Sequence, residues 1–301
     1  MQKLILRNHL CPGDIVMLTA AVRDLHRCQP SRFVTDVRTS CPDLWSFNPY
    51  ITPIADGDPD ARVIECEYPL VNESTRRPVH FIYGFVEFLA RRLNVHIHPT
   101  EFKGDVYATP DAASSPDLPQ PYWLIDAGGK TDFTAKWPDP AKLQAVVDEF
   151  AGRVAFVQIG AANHNHPRLR GVIDRVGATT IRGLVDLMAH ASGVITPVSF
   201  PMHLSAAVPT PTGALRPCVV IAGGREPAHW EQYPGHAYLD TVGRLPCCAN
   251  GACWRSRTRP MGDGNDKPDS LCVDVAPSGF PRCIDMISAQ RIIDAVADWI
   301  P

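Results

Sequence analysis

The sequence predicts an α/β protein made of two Rossmann-like, doubly wound halves that face each other across a cleft. Three observations carry that expectation. Short apolar runs alternate with helically spaced apolar positions along both halves, the pattern of parallel strands joined by crossover helices. A length of 301 residues suits about two domains of ordinary size. Between the halves lies residues 109–121, four prolines in thirteen residues, which reads as a semi-rigid linker.

In chain order, residues 3–7 (Lys-Leu-Ile-Leu-Arg) read as a buried strand, followed by a loop containing Gly13. Residues 15–27 place Ile15, Leu18, Val22 and Leu25 on one helix face. Strand, glycine loop and helix open a Rossmann-like unit, whose loops bind ligands at the carboxyl edge of the sheet. A single glycine is too few for the dinucleotide fingerprint. Asp14, at the end of the loop, is either an N-cap or a carboxylate aimed into the cleft. Residues 32–36 and 62–66 read as further strands and 41–47 as a short helix. Residues 78–93 form an amphipathic helix whose Phe81, Phe85 and Phe88 face a core.

The second half repeats the alternation. Strands are expected at 122–126, 154–159, 193–195 and 217–222, and helices at 139–150, 181–191 and 288–300. At the centre is Thr196-Pro-Val-Ser-Phe-Pro-Met-His-Leu-Ser-Ala-Ala-Val208, an apolar strand running into a helix that starts near Met202. Such a junction presents backbone N–H groups and the positive end of the helix dipole, which suits an anionic ligand. His203, in the first turn, is either a donor to phosphate or a packed, satisfied histidine.

Composition narrows the function. Apolar residues make up 45%, charged residues 20%, and the net charge is −3, which leaves no basic field to hold nucleic acid or an acidic membrane surface. No run approaches the roughly 18 apolar residues of a membrane span. The N-terminal apolar stretch is too short for a signal peptide, so a cytoplasmic location is expected. In a reducing compartment the ten cysteines point to thiols or metal ligands rather than disulfides. Five of them, Cys247, Cys248, Cys253, Cys272 and Cys283, crowd around a polar, aperiodic stretch at 255–270 that cannot build a core. Cys248, Cys253, Cys272 and Cys283 would give four thiolates for a tetrahedral zinc or iron ion, with Cys247 a fifth candidate. The other cysteines are scattered and read as small buried hydrophobes, Cys11 beside the Asp14 loop excepted.

Several segments together resemble the family 9 glycosyltransferases, the ADP-heptose-using heptosyltransferases and their relatives. They are Gly13-Asp14 with Thr19 and Arg23, Lys136-Trp-Pro138, Gln158-Ile-Gly160, and Ser199-x-Pro-Met-His-Leu-Ser-Ala-Ala207, in the family's order. The resemblance implies a GT-B fold, with an acceptor-binding domain at 1–120 and a nucleotide-sugar-binding domain at 121–245. A cysteine-rich module at 246–284 and a closing helix at 285–301 complete the expected partition. The resemblance also implies inverting transfer from a nucleotide-diphosphate sugar that needs no catalytic metal. Asp14 would be the general base, Lys136 would neutralise the departing diphosphate, and the backbone near Met202 and His203 would cradle it. The cysteine module resembles that of the autotransporter heptosyltransferases, whose four-cysteine site holds iron in a structural role.

One departure sits at the centre. Where the family has Asp-Ser-Gly, this chain has Val198-Ser199-Phe200. Gly223, Gly224, Arg225, Glu226 and His229, after the strand at 217–222, could supply replacement donor contacts. Two other readings compete: a GT-B-fold binding or assembly protein, and a nucleic-acid-contacting module using Arg255, Arg257 and Arg259. The sequence leaves open the sugar, the acceptor (glycan, protein or small molecule) and homo-oligomerisation.

Overall fold

A computed structural model describes residues 1–67, 70, 73–110 and 117–300. Two parallel sheets organise it. The first contains β1 (Gln2–Asn8), β2 (Phe33–Thr39) and β3 (Ala61–Glu65) in the order β2-β1-β3, with α1 (Pro12–Cys28) crossing between β1 and β2. Helix α2 (Tyr83–Leu93) follows β3 and packs on α1. It begins five residues later than the periodicity predicts. The Phe81 amide donates to Trp230 O and the Ile82 amide to His80 Nδ1, so the chain before Tyr83 is committed to other partners. Of residues 41–47, expected as a short helix, Pro42–Trp45 form a single 3₁₀ turn.

The second sheet contains β4 (Tyr122–Asp126), β5 (Ala155–Ile159) and β6 (Ile173–Asp174), then β7 (Gly193–Pro197), β8 (Cys218–Gly223) and β9 (His236–Asp240). Their spatial order is β6-β5-β4-β7-β8-β9, all parallel. The intervening helices are α3 (Pro140–Glu149), α4 (Ile181–His190), α5 (Phe200–Ala207) and the single turn α6 (Ala228–Glu231). The short α7 (Arg282–Asp285) and α8 (Ala289–Ala297) complete the chain, α8 laying Ile292 and Val296 on Leu143, Val146 and Phe150. The strand order reverses between β4 and β7, which makes their carboxyl ends a topological switch point, the crevice where open α/β sheets bind ligands.

The structure therefore carries the expected α/β class with parallel sheets. The larger apolar cluster runs without a break from Leu4, Leu6 and α1 into Leu124, Val157, Val194 and Val220. Gly104 stands at the seam, since a Cβ there would lie 2.4 Å from Val16 Cγ1 and 2.9 Å from Ala207 Cβ. Of the linker expected at 109–121, residues 111–116 lie outside the described residues. Among the described residues no helix is long and apolar enough to cross a membrane.

Several arginines are held by multiple hydrogen bonds. The Arg216 guanidinium donates to four carbonyl oxygens, of Ala189, Ala191, Ser205 and Val208, and so clamps the ends of α4 and α5. Two of the three arginines in residues 255–270 are similarly spent inside. Arg257 donates to Asp263 and Asp266, and Arg255 to the carbonyls of Pro268 and Leu271. Charge-assisted bonds thus order a segment whose composition cannot build a core, and they take Arg255 and Arg257 out of the basic face that a nucleic-acid module would need.

Candidate active site

A cleft of about 530 Å³ opens along the carboxyl ends of β4, β5, β7 and β8, roofed by the loop between β1 and α1. Asp14, Lys136, Ser199, His203, Arg225 and Glu226 all line it, so the fold brings together most of the residues singled out from sequence.

Asp14 is the third residue of α1 rather than its N-cap, which is Cys11. Its Oδ2 accepts the Cys11 amide at 3.1 Å, as an acidic residue at that position of a capping box does. It caps and faces the cleft at once, so the two readings of the residue are not alternatives. Burial raises its carboxyl to about 6, partly offset by the Cys11 amide and the Lys136 charge. Such a group is ionised at neutral pH yet basic enough to take a proton. Gly13 lets the loop sit this low, because a Cβ there would lie 2.8 Å from the His203 ring.

Lys136 ends the 3₁₀ turn Thr134–Lys136, and its Nζ donates to Val198 O at 3.2 Å, which places its charge at the β7–α5 junction. It also lies 2.9 Å from Glu226 Oε1, and Arg225 pairs with the same carboxylate. Burial alone would raise Glu226, but Arg225 and Lys136 hold it below its ordinary value, as a carboxylate. Arg225 and Glu226 therefore form an ion-pair network with Lys136 rather than standing as separate donor contacts.

Other expected donor residues are placed differently. Met202 is fully buried, and its amide donates to Ser199 O at 3.0 Å, so it is not free for phosphate. Pro201 has no N–H, which leaves the α5 N-terminus with fewer donors than an ordinary helix start. His203 Nδ1 lies 2.7 Å from Tyr233 Oη and its Nε2 is 3.5 Å from Glu231 Oε2. Burial, reinforced by the Lys136 charge, keeps the imidazole neutral. It is a packed histidine at the cleft floor, not a cationic phosphate donor. Gly223 and Gly224 lie outside the cleft lining, against Ile284, Cys283 and Cys248. His229 binds Ser74 O through Nε2.

Two further carboxylates line the cleft. Glu231, on α6, is buried, and burial together with the Glu226 charge raises its carboxyl well above the ordinary range. Asp126, the last residue of β4, accepts from Ser199 Oγ at 3.2 Å across the switch point. A carboxylate ending a buried strand is a readable signal for Asp126. No local pattern marks Glu231, whose burial depends on distant elements.

Behind the cleft, Cys247, Cys253, Cys272 and Cys283 line a second cavity of about 10 Å³, together with Arg225, Arg255 and Asp274. The structure departs from the expected ligand set at one position. The Cys248 thiol is turned away to the carbonyls of Thr241 and Leu245, at 3.6 and 3.4 Å, and Cys247 takes its place at the cavity. All ten cysteines are free thiols. Among the described residues no three histidine, cysteine or acidic side chains stand together at ligating distances. The donor chemistry of four thiols around one small cavity nevertheless suits tetrahedral iron or zinc. The region is zipped to the cleft: the Ala135 amide donates to Ser256 O, the Thr258 amide to Thr134 Oγ1, and Arg225 Nε to Arg255 O.

Comparison with solved structures places this architecture. Over 99% of its length the chain superposes on 97% of a glycosyl transferase family 9 protein from Veillonella parvula, with a TM-score of 0.65 at 13% identity. The chain has the fold of these glycosyltransferases. It also matches the E. coli ADP-heptose lipopolysaccharide heptosyltransferase II, covering 99% of this chain and 98% of that one (TM-score 0.62, 13% identity). A third similar structure is TibC, an iron-containing dodecameric glycosyltransferase of enterotoxigenic E. coli, with coverage of 99% and 76%, a TM-score of 0.63 and 16% identity. No protein-family model matches the sequence, and a search of the curated proteins returns no match.

Proposed function

We propose that the chain is an inverting glycosyltransferase that moves a sugar from a nucleoside diphosphate to an acceptor hydroxyl. The observation that carries this reading is the convergence of Asp14 and Lys136 on one cleft at the switch point. The acceptor hydroxyl gives its proton to Asp14 as its oxygen bonds to the anomeric carbon. The bond from that carbon to the diphosphate breaks on the opposite face, and the leaving group's new charge falls to Lys136. Arg225 and Glu226 hold Lys136 in place, and the neutral His203 adds no charge beside Asp14. The apolar side chains of Ile159, Ile181 and Leu184, at the far end of the cleft, suit a nucleoside base. The acceptor would enter from the side of residues 1–120.

A thermal-shift series with ADP, GDP and UDP tests this reading. At least one should raise the melting temperature in proportion to the logarithm of its concentration, and Lys136→Met should largely remove the shift. A wild-type protein indifferent to all three contradicts it. A second reading, a GT-B-fold binding or assembly protein, draws support from Glu226, which already occupies the Lys136 charge, and from Val198. It predicts nucleotide binding without turnover.

We further propose that Cys247, Cys253, Cys272 and Cys283 hold a structural iron or zinc ion that sets the Arg255–Arg225 contact. Cys253→Ser should lower both metal content and melting temperature, whereas Cys248→Ser should leave the metal in place. Elemental analysis that finds no metal in the wild-type protein, or equal metal loss in both variants, contradicts this assignment.

A further inference from the structure

We propose that Asp126, His166 and Ser199 form a subsite for a vicinal diol of the nucleotide sugar, at the crevice between β4 and β7. The inference rests on the nucleotide-sugar reading above and adds to it the groups that would read hydroxyls. Asp126 ends β4, Ser199 is the N-cap of α5 just after β7 on the other side of the switch point, and all three residues line the cleft. The carboxylate is 5% exposed at its side chain, yet its bonds leave acceptor capacity unused. Oδ1 accepts the Gly128 amide at 3.2 Å and Oδ2 accepts Ser199 Oγ at 3.2 Å. An ionised carboxylate offers about four lone-pair sites, so roughly half remain for a ligand.

His166 is the independent observation. Its ring is 3% exposed, and its Nδ1 stands 3.2 Å from Asp126 Oδ1. Neither ring nitrogen makes a hydrogen bond of acceptable geometry, in an interior where buried polar atoms almost always do. A histidine and an aspartate side by side, both buried, both lining a cleft and both with unused capacity, match the paired hydroxyls of a diol. One hydroxyl donates to the carboxylate, and its neighbour exchanges a hydrogen bond with the imidazole.

The position is built rather than incidental. The segment carrying His166 is pinned against the loop after β4 by two backbone bonds, Gly129 N to Asn165 O at 2.9 Å and Asn165 N to Gly129 O at 3.0 Å. Gly128 permits that approach, because a Cβ there would lie 1.7 Å from Asn165 O. Thr196 Oγ1, 3.0 Å from Ser199 Oγ, fixes the serine hydroxyl from behind. In the sheet, β4 and β7 lie between β5 and β6, which precede Ile181, and β8, which precedes Glu226, the partner of Lys136. The missing carboxylate at Val198 is thus met by one on the neighbouring strand.

A diol can come from the ribose or from the transferred sugar, and calorimetric titration separates them. The titrants are whichever of ADP, GDP and UDP the wild type binds, its 2′-deoxy form, and the corresponding nucleotide-diphosphate glucose. If the ribose supplies the diol, the wild type binds the ribonucleotide about 10–100-fold more tightly than the deoxy form. Asp126→Asn and His166→Asn then bring that ratio close to one. If the sugar supplies it, the ribo and deoxy forms bind alike, and the extra affinity of the glucose nucleotide disappears in both variants. A purely structural role for Asp126 would weaken all three titrants equally and leave both ratios unchanged, which overturns the subsite. So do folded variants that bind all three within twofold of wild type. A wild type that binds no nucleoside diphosphate removes the nucleotide reading and the subsite with it, a failure distinct from the other two.

Discussion

Asp14→Asn is expected to lower transfer by about 10²–10⁴-fold, the usual contribution of a positioned general base. The amide keeps an oxygen that can accept the Cys11 N–H, so the capping bond survives and the fold should be intact. Burial raises this carboxyl to about 6 from the ordinary 3.8. The base acts in its ionised form, so the wild-type kcat/KM should climb with pH through about 6, and that acid limb should vanish in the variant. Stability moves the other way. A raised pKa means that the folded state holds the proton more tightly, so this group favours folding below the ordinary carboxylate range and loses that contribution as pH rises through about 6. At neutral pH the asparagine variant should therefore melt no lower than wild type. Measured pH profiles and melting curves check both statements. Activity within a few-fold of wild type would remove Asp14 from the reaction.

The largest effect on stability is expected at Arg23. Its side chain is fully buried, with two bonds to Asp24, one to Lys103 O and one to Glu101 O. Asp24, equally buried, also accepts the amide and hydroxyl of Thr100. This cluster fastens α1 to the segment at 100–105 and so holds the Asp14 loop over the cleft. Arg23→Met leaves the Asp24 carboxylate buried without its cation and should cost about 3–5 kcal/mol. Adding Asp24→Asn should return part of the loss, since the stranded charge is then gone. Urea unfolding of the single and double variants reads this directly; a midpoint unchanged in Arg23→Met would contradict it. Thr19, in the same sequence segment, is likewise structural: its hydroxyl donates to Val16 O and accepts the Asp105 amide.

The strand and helix alternation could be read in advance because buried parallel strands are continuous apolar runs, and Tyr122–Asp126 appears with the expected bounds. Strands β6 and β9 escaped. Residues 173–174 are too few to show a period, and His236-Ala-Tyr-Leu-Asp240 mixes polar and apolar side chains at the sheet edge. Asp14 and Lys136 stood out because Gly13-Asp14 and Lys136-Trp137-Pro138 resemble segments of the family 9 glycosyltransferases. The roles of Glu226, Glu231 and His203 depend on partners about 30 to 215 residues away in the chain or on burial, which no local pattern encodes. Cys247 and Cys248 differ by one position, and only the 3₁₀ turn Pro246–Cys248 decides which thiol faces the cavity.

The central claim is that one cleft binds the nucleotide sugar, with Asp14 on one wall and Lys136 on the other. A crystal structure with a bound nucleoside diphosphate tests it most directly. The diphosphate should lie within hydrogen-bonding distance of Lys136 Nζ at the β7–α5 junction, with the base against Ile181 and Leu184. A nucleotide seated anywhere else on the protein, with Lys136 still paired only to Glu226 and Val198, would contradict it.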